Sequence, residues 1–173
     1  MEIALEILKY ILPSIIVFVG VYFILQNFLE NESRKQERSL RAKNQDLVVP
    51  IRLQAFERVV LFLERISLQN IVMRAYQGGK SAKALQSELL KMIRNEYEHN
   101  LSQQVYISSK TWQMVKTAKE ETIKTINYSA DQMNEDSSAM DLSRFILELS
   151  SKVEQLPTDV AIEALKREIN YTF

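Results

Sequence analysis

The chain has 173 residues, 22 Lys/Arg against 22 Asp/Glu, one histidine and no cysteine. Zero net charge argues against a dedicated nucleic-acid binder, which relies on a basic field, and the missing thiols exclude disulfides and thiolate metal sites. With only three glycines, three prolines and helix-forming residues throughout, the expected class is all-α: a single N-terminal transmembrane helix followed by a soluble bundle of about five helices.

The stretch from Tyr10 to Leu29, YILPSIIVFVGVYFILQNFL, carries no charge, and only Gln26 and Asn27 are strongly polar. At about 1.5 Å per residue it spans roughly 30 Å, the thickness of a bilayer's hydrocarbon core. Residues 1–29 therefore read as an anchor with its span at about 10–29, followed by a charged stalk over 30–49 and a helical bundle over 50–173. Glu2, Glu6 and Lys9 precede the span, whereas Arg34, Lys35, Arg38, Arg41 and Lys43 follow it. Membrane-proximal cations are retained on the cytoplasmic side, which predicts the N-terminus outside, the C-terminal domain in the cytoplasm, and a lipid bilayer as first partner. QNFLENES after Leu25 offers no small-x-small cleavage site, so the segment is expected to stay attached. Gly20 makes no G-x-x-x-G pair; self-association is left open.

Pro50 suits the first turn of a helix running to Tyr76, whose apolar residues cover about half its circumference. This is the expected central helix. Gly78-Gly79-Lys80-Ser81 ends like a phosphate loop, but Arg74 stands where that motif needs glycine, and a helix rather than a strand precedes it. Gly78 is expected as the left-handed residue closing one helix and Ser81 as the cap of the next. That next helix, about 82–106, places Leu85, Leu89 and Met92 on one face, which then continues into Glu96, His99, Asn100 and Gln103. A turn near Ile107, capped by Ser108 or Ser109, leads to a helix over about 110–133 with Trp112, Val115 and Ile126 inward and Lys119 intruding. Ser138 and Asp141 form a capping box for a helix reaching Leu156, and Pro157-Thr158 starts a last, short helix.

RLQAFERVVLFLERI at 52–66 together with EYEHNLSQQVYISSKTW at 96–112 resembles a family of small single-span bacterial membrane proteins of unknown function. The resemblance covers most of the chain. It implies a helical protein of the bacterial inner membrane and brings no activity, substrate or cofactor.

Glu96-x-x-His99 is the spacing that sets two metal ligands on one helical face, with Glu57 and Glu64 the nearest carboxylates to complete a site. Against this stands a structural reading. In a hairpin turning near Ile107, Glu96 faces Lys119, and the pair heads a buried polar network with His99, Asn100 and Gln103. No catalytic spacing is present and no cofactor is expected. The function read from the sequence is a membrane-anchored, non-enzymatic interaction or assembly module with a protein partner; the alternative is a metal- or small-molecule-binding sensor using Glu96, His99, Asn100 and Gln103.

Overall fold

The computed structural model describes the backbone of residues 2–172 and the side chains of 15, 17, 18, 20–28, 30, 32, 35 and 48–171. Among these residues it is all-helical: α1 (Glu2–Ile66), α2 (Leu68–Ala75), α3 (Ala82–Asn100), a 3-10 helix (Leu101–Val105), α4 (Ser109–Asp131), α5 (Ala139–Ser151) and α6 (Pro157–Thr172). The chain divides into two compact units, Met1–Val49 and Pro50–Phe173.

The first unit is helical throughout its described backbone, including the expected stalk. Among the described residues no helix is long and apolar enough to cross a membrane. Part of the expected span, at 10–14, 16, 19 and 29, lies outside the described side chains, as do Glu2, Glu6, Lys9, Arg34, Arg38, Arg41 and Lys43. Lys35 is exposed.

In the second unit, Phe56, Val59, Phe62, Leu63 and Ile66 of α1 are at most 1% exposed. Leu68, Ile71 and Val72 of α2, Leu85, Leu89 and Ile93 of α3, Trp112, Val115 and Ile126 of α4, Leu142 and Ile146 of α5, and Leu165 of α6 belong to the same core. Burying each of these large side chains is worth about 1.5–3 kcal/mol, so the apolar stripes of the helices are the main adhesive.

Helix ends depart from the sequence reading at several points, each with a local cause. Pro50 starts no helix: it lies within α1, where it can donate no backbone hydrogen bond. The helix expected over 50–76 is instead broken at Ser67, whose backbone is extended (φ −55°, ψ 140°). The Ser67 hydroxyl and the Asn70 side-chain amide both donate to the Glu64 carbonyl, at 2.8 and 2.9 Å, so the last carbonyls of α1 are satisfied without a further helical turn. Gly79, not Gly78, is the left-handed residue, with φ 79°. Helix α5 stops at Ser151, short of Leu156, where Ser150 and Ser151 turn their hydroxyls onto the carbonyls of Leu147 and Glu148, each at 2.8 Å.

Starts follow their caps. The Ser81 and Ser108 hydroxyls accept from the N–H groups of Ala84 and Thr111, both at 3.3 Å, and Ser138 with Asp141 forms the full capping box. The Ser138 hydroxyl and N–H hold the Asp141 carboxyl below the usual carboxylate range. Sequence gave no sign of the link between two of these starts: Ala82 N–H donates to the Ser137 carbonyl at 2.9 Å and Ala139 N–H to the Lys80 carbonyl at 2.8 Å. This short antiparallel bridge ties the first turns of α3 and α5, and it occupies the loop that resembled a phosphate cradle.

A second tie joins α6 to α4. Glu168 accepts from the Ser108 N–H at 2.8 Å and from the Ser108 hydroxyl at 2.6 Å. Partial burial pushes its carboxyl upward, but hydrogen bonds from Ser108 and Thr111 and the charge of Arg52 outweigh that and hold it below the ordinary range. A depressed folded-state value means stability that is present above the unfolded value and lost as pH falls through the folded one. Glu168→Gln is therefore expected to cost about 1 kcal/mol at neutral pH, as for loss of a helix cap, in thermal melts of the full chain. That deficit should shrink as pH falls below the ordinary carboxylate range, where the wild-type carboxyl protonates; a deficit independent of pH would refute the charged cap.

Candidate functional site

Most of the polar residues that interrupt the inner stripe of α3 gather in one cleft of about 400 Å³, lined by Arg65, Arg74, Met92, Asn95, Glu96, His99 and Asn100. Three elements build it. The α1–α2 break brings Arg65 and Arg74 to the same side, and the last two turns of α3 supply the rest.

Glu96 is the centre. Its side chain is 16% exposed, and both carboxylate oxygens accept from Arg65 Nη1 at 3.3 Å while Oε1 also accepts from Arg74 Nη2 at 3.1 Å. Arg74 donates in addition to the Arg65 carbonyl at 3.3 Å, so a single carboxylate on α3 fastens the ends of α1 and α2. His99 is exposed, and its Nδ1 lies 2.7 Å from the Asn95 carbonyl. A carbonyl only accepts, so Nδ1 is the donor in this contact. Asn100 donates from Nδ2 to the Glu96 carbonyl at 2.8 Å.

The expected network is thus divided. Glu96, His99 and Asn100 share the cleft, whereas Gln103 lies in the 3-10 helix, 9% exposed, donating to the Ser102 hydroxyl at 3.2 Å. Lys119 does not meet Glu96: it pairs with Glu120 at 2.8 Å, and its Nζ sits 4.2 Å from the centroid of the Tyr97 ring. The hairpin register is off by one residue, so Tyr97 faces Lys119 where Glu96 was expected. The cause is the 3-10 helix, which winds about 3.0 residues per turn rather than 3.6 and so shifts the angular phase of the connection. Tyr97 also stacks on Trp112, centroids 6.1 Å apart, and tilts against Phe62 at 5.9 Å, so Lys119 closes an aromatic column as a cation over a ring face.

Glu57 and Glu64 are exposed and do not line the cleft. Among the described residues no group of three or more His, Asp or Glu side chains could hold a metal ion. What sequence reasoning missed was the pair of arginines: Arg74 enters it only as the residue that spoils a phosphate loop, and nothing in the sequence marks the break at Ser67 that brings it beside Arg65.

Residues 2–172 match the model of a family described as a family of unknown function (DUF7935). The chain belongs to this family. No curated protein and no solved structure matches it. Membership in DUF7935 carries no membrane topology, activity or ligand with it, and the cleft has to be judged on its own chemistry. Two guanidiniums on one carboxylate, a histidine hydrogen-bonded to its own helix and an amide doing likewise form a joint between helices.

Stability cycles followed through Trp112, the one tryptophan of the chain, test that joint. Glu96→Gln and Arg74→Met should each cost about 0.5–1 kcal/mol, because the pairs are partly exposed, and should couple by about 0.5 kcal/mol or more. Glu96→Gln and Lys119→Met should instead be additive. Strong coupling between Glu96 and Lys119 would restore the pairing expected from the sequence.

Proposed function

We propose that the chain is a membrane-anchored, non-enzymatic interaction or assembly module, single-pass in a bacterial inner membrane, with its N-terminus outside and its helical domain in the cytoplasm. The observation that carries the reading is the uncharged stretch 10–29. Within it Val21, Tyr22, Phe23, Ile24 and Leu25 are five successive side chains, each 48–70% exposed. At about 100° per residue they face every side of the helix, the pattern that hydrocarbon tolerates and water does not. The five cations at Arg34, Lys35, Arg38, Arg41 and Lys43 support the orientation.

An interaction role draws support from the surface of the second unit. Val105 is 78% and Met73 76% exposed, and Leu101 and Tyr106 lie exposed beside Val105, an apolar group on the 3-10 helix and its end. A protein partner is the occupant such groups suit. A ligand-sensing role is the second reading, favoured by the placement of Glu96, His99 and Asn100 in one cleft; there a metal would have to displace two arginines from Glu96. Stoichiometric metal in the purified full chain, by elemental analysis, would establish that second reading.

Topology supplies the direct test. Because the chain has no cysteine, Lys80→Cys creates a single thiol on an exposed side chain. A membrane-impermeant maleimide should leave it unlabelled in intact cells and label it after lysis, with the protein in the membrane fraction resistant to alkaline washing. Labelling in intact cells, or release by the wash, would overturn the assignment.

A further inference from the structure

The second unit contains another cleft, of about 390 Å³, away from Glu96 and walled by α2, α4, the end of α5 and the start of α6. Its lining is largely apolar, with Leu68, Leu149, Val153, Leu156 and Pro157 forming most of the wall and Tyr128 beside them. The volume lies in the range of small-molecule sites.

Its polar groups are the informative part. Thr122, Thr125 and Ser150 also line the cleft, and each hydroxyl is already committed to a carbonyl of its own helix: Ala118 at 2.9 Å, Glu121 at 2.9 Å and Leu147 at 2.8 Å. Thr158 is different. It is 2% exposed, it lines the cleft, and its hydroxyl is the one buried side-chain polar atom among the described residues without a hydrogen-bond partner. A buried hydroxyl left unpaired is unfavourable enough that a folded chain normally satisfies it.

The backbone beside it includes one N–H with no partner inside the helix. Helix α6 begins at Pro157, which has no N–H, and the N–H groups of Asp159 and Val160 both turn back to the Leu156 carbonyl. Leu156 precedes the helix and offers no capping oxygen, so the Thr158 N–H lacks an acceptor within α6 by construction. A residue with an unpaired hydroxyl and a helix start with a spare N–H therefore border the same apolar cleft. The complementary group is an oxygen that accepts, on an apolar body.

We propose that this cleft binds a small apolar molecule carrying one hydrogen-bond-accepting oxygen, a carboxylate or a carbonyl, held by Thr158 and the first turn of α6. The apolar body lies on Leu68, Leu149 and Val153. Glu121 and Lys124 pair with each other at 2.7 Å at the rim, so the entrance is electrically balanced and neither repels nor captures an anion by charge alone. The site is separate from the Glu96 cleft and does not depend on the membrane reading.

Fluorine NMR of the purified full chain provides the test, with para-trifluoromethylbenzoate as the acceptor-bearing probe and trifluoromethylbenzene as its counterpart without a carboxylate. Val153→Trp fills the cleft from a half-exposed position and should abolish binding of both probes. Thr158→Val keeps the shape and removes the hydroxyl. It should weaken the benzoate about tenfold, leave trifluoromethylbenzene unchanged and melt no lower than the wild type. Any of three results would overturn the proposal: no saturable binding of either probe, binding that survives Val153→Trp, or benzoate affinity unchanged by Thr158→Val, as when a trapped water is the hydroxyl's natural partner. Equal weakening of both probes with an early melt would likewise reduce Thr158 to a structural residue.

Discussion

The segment from Phe56 to Ile66 is the constraint on which the domain depends. Five large side chains of α1 in this stretch are almost wholly withdrawn from solvent and form one stripe about 120° wide along the helix. These side chains share one core with residues of every later helix from α2 to α6. A helix continuing straight beyond Ile66 would carry Leu68, Ile71 and Val72 past the core they belong to. The break at Ser67 lets them join it, and the three hydrogen bonds that satisfy the Glu64 and Arg65 carbonyls through Ser67, Asn70 and Arg74 make the break affordable.

Serine is the punctuation of this bundle. Ser67 ends a helix, Ser81, Ser108 and Ser138 begin helices, and Ser150 with Ser151 closes another, in every case because a short hydroxyl competes for a nearby backbone group. All three starts are then tied by longer-range bonds, α3 to α5 through the bridge at Ser81 and Ser138, and α4 to α6 through Glu168. These ties concern helix ends, whereas the apolar stripes concern helix faces. The joint at Glu96 belongs with the first group, since it too secures chain ends, those of α1 and α2, with one side chain from α3.

Much of this was legible in the residues. Helical class, the caps at Ser81 and Ser138, a cap at Ser108 or Ser109, the turn near Ile107 and the start of α6 at Pro157 follow from interactions spanning three or four residues. Apolar periodicity likewise picked out Leu85, Leu89, Trp112, Val115 and Ile126 as inward. The break at Ser67 was not legible, because Ser67, Asn70 and Arg74 read as ordinary helix residues until the carbonyls they serve are known. The sequence reading placed the left-handed turn at Gly78, and the chain path puts it at Gly79.

The polar residues of α3 mark the boundary between the two kinds of information. Sequence alone established that Glu96, His99, Asn100 and Lys119 interrupt apolar faces, since that is a matter of angle along one helix. It could not establish their partners, which depend on the phase with which one helix meets the next. A five-residue 3-10 helix alters that phase, so Tyr97 and not Glu96 came to lie under Lys119, and Glu96 turned to two arginines brought together by a break elsewhere. Short-range hydrogen bonds and side-chain periodicity are properties of a local stretch and survive in any context. The pairing of charges across helices is set by tertiary geometry, in which a shift of one residue rotates a side chain by about 100°.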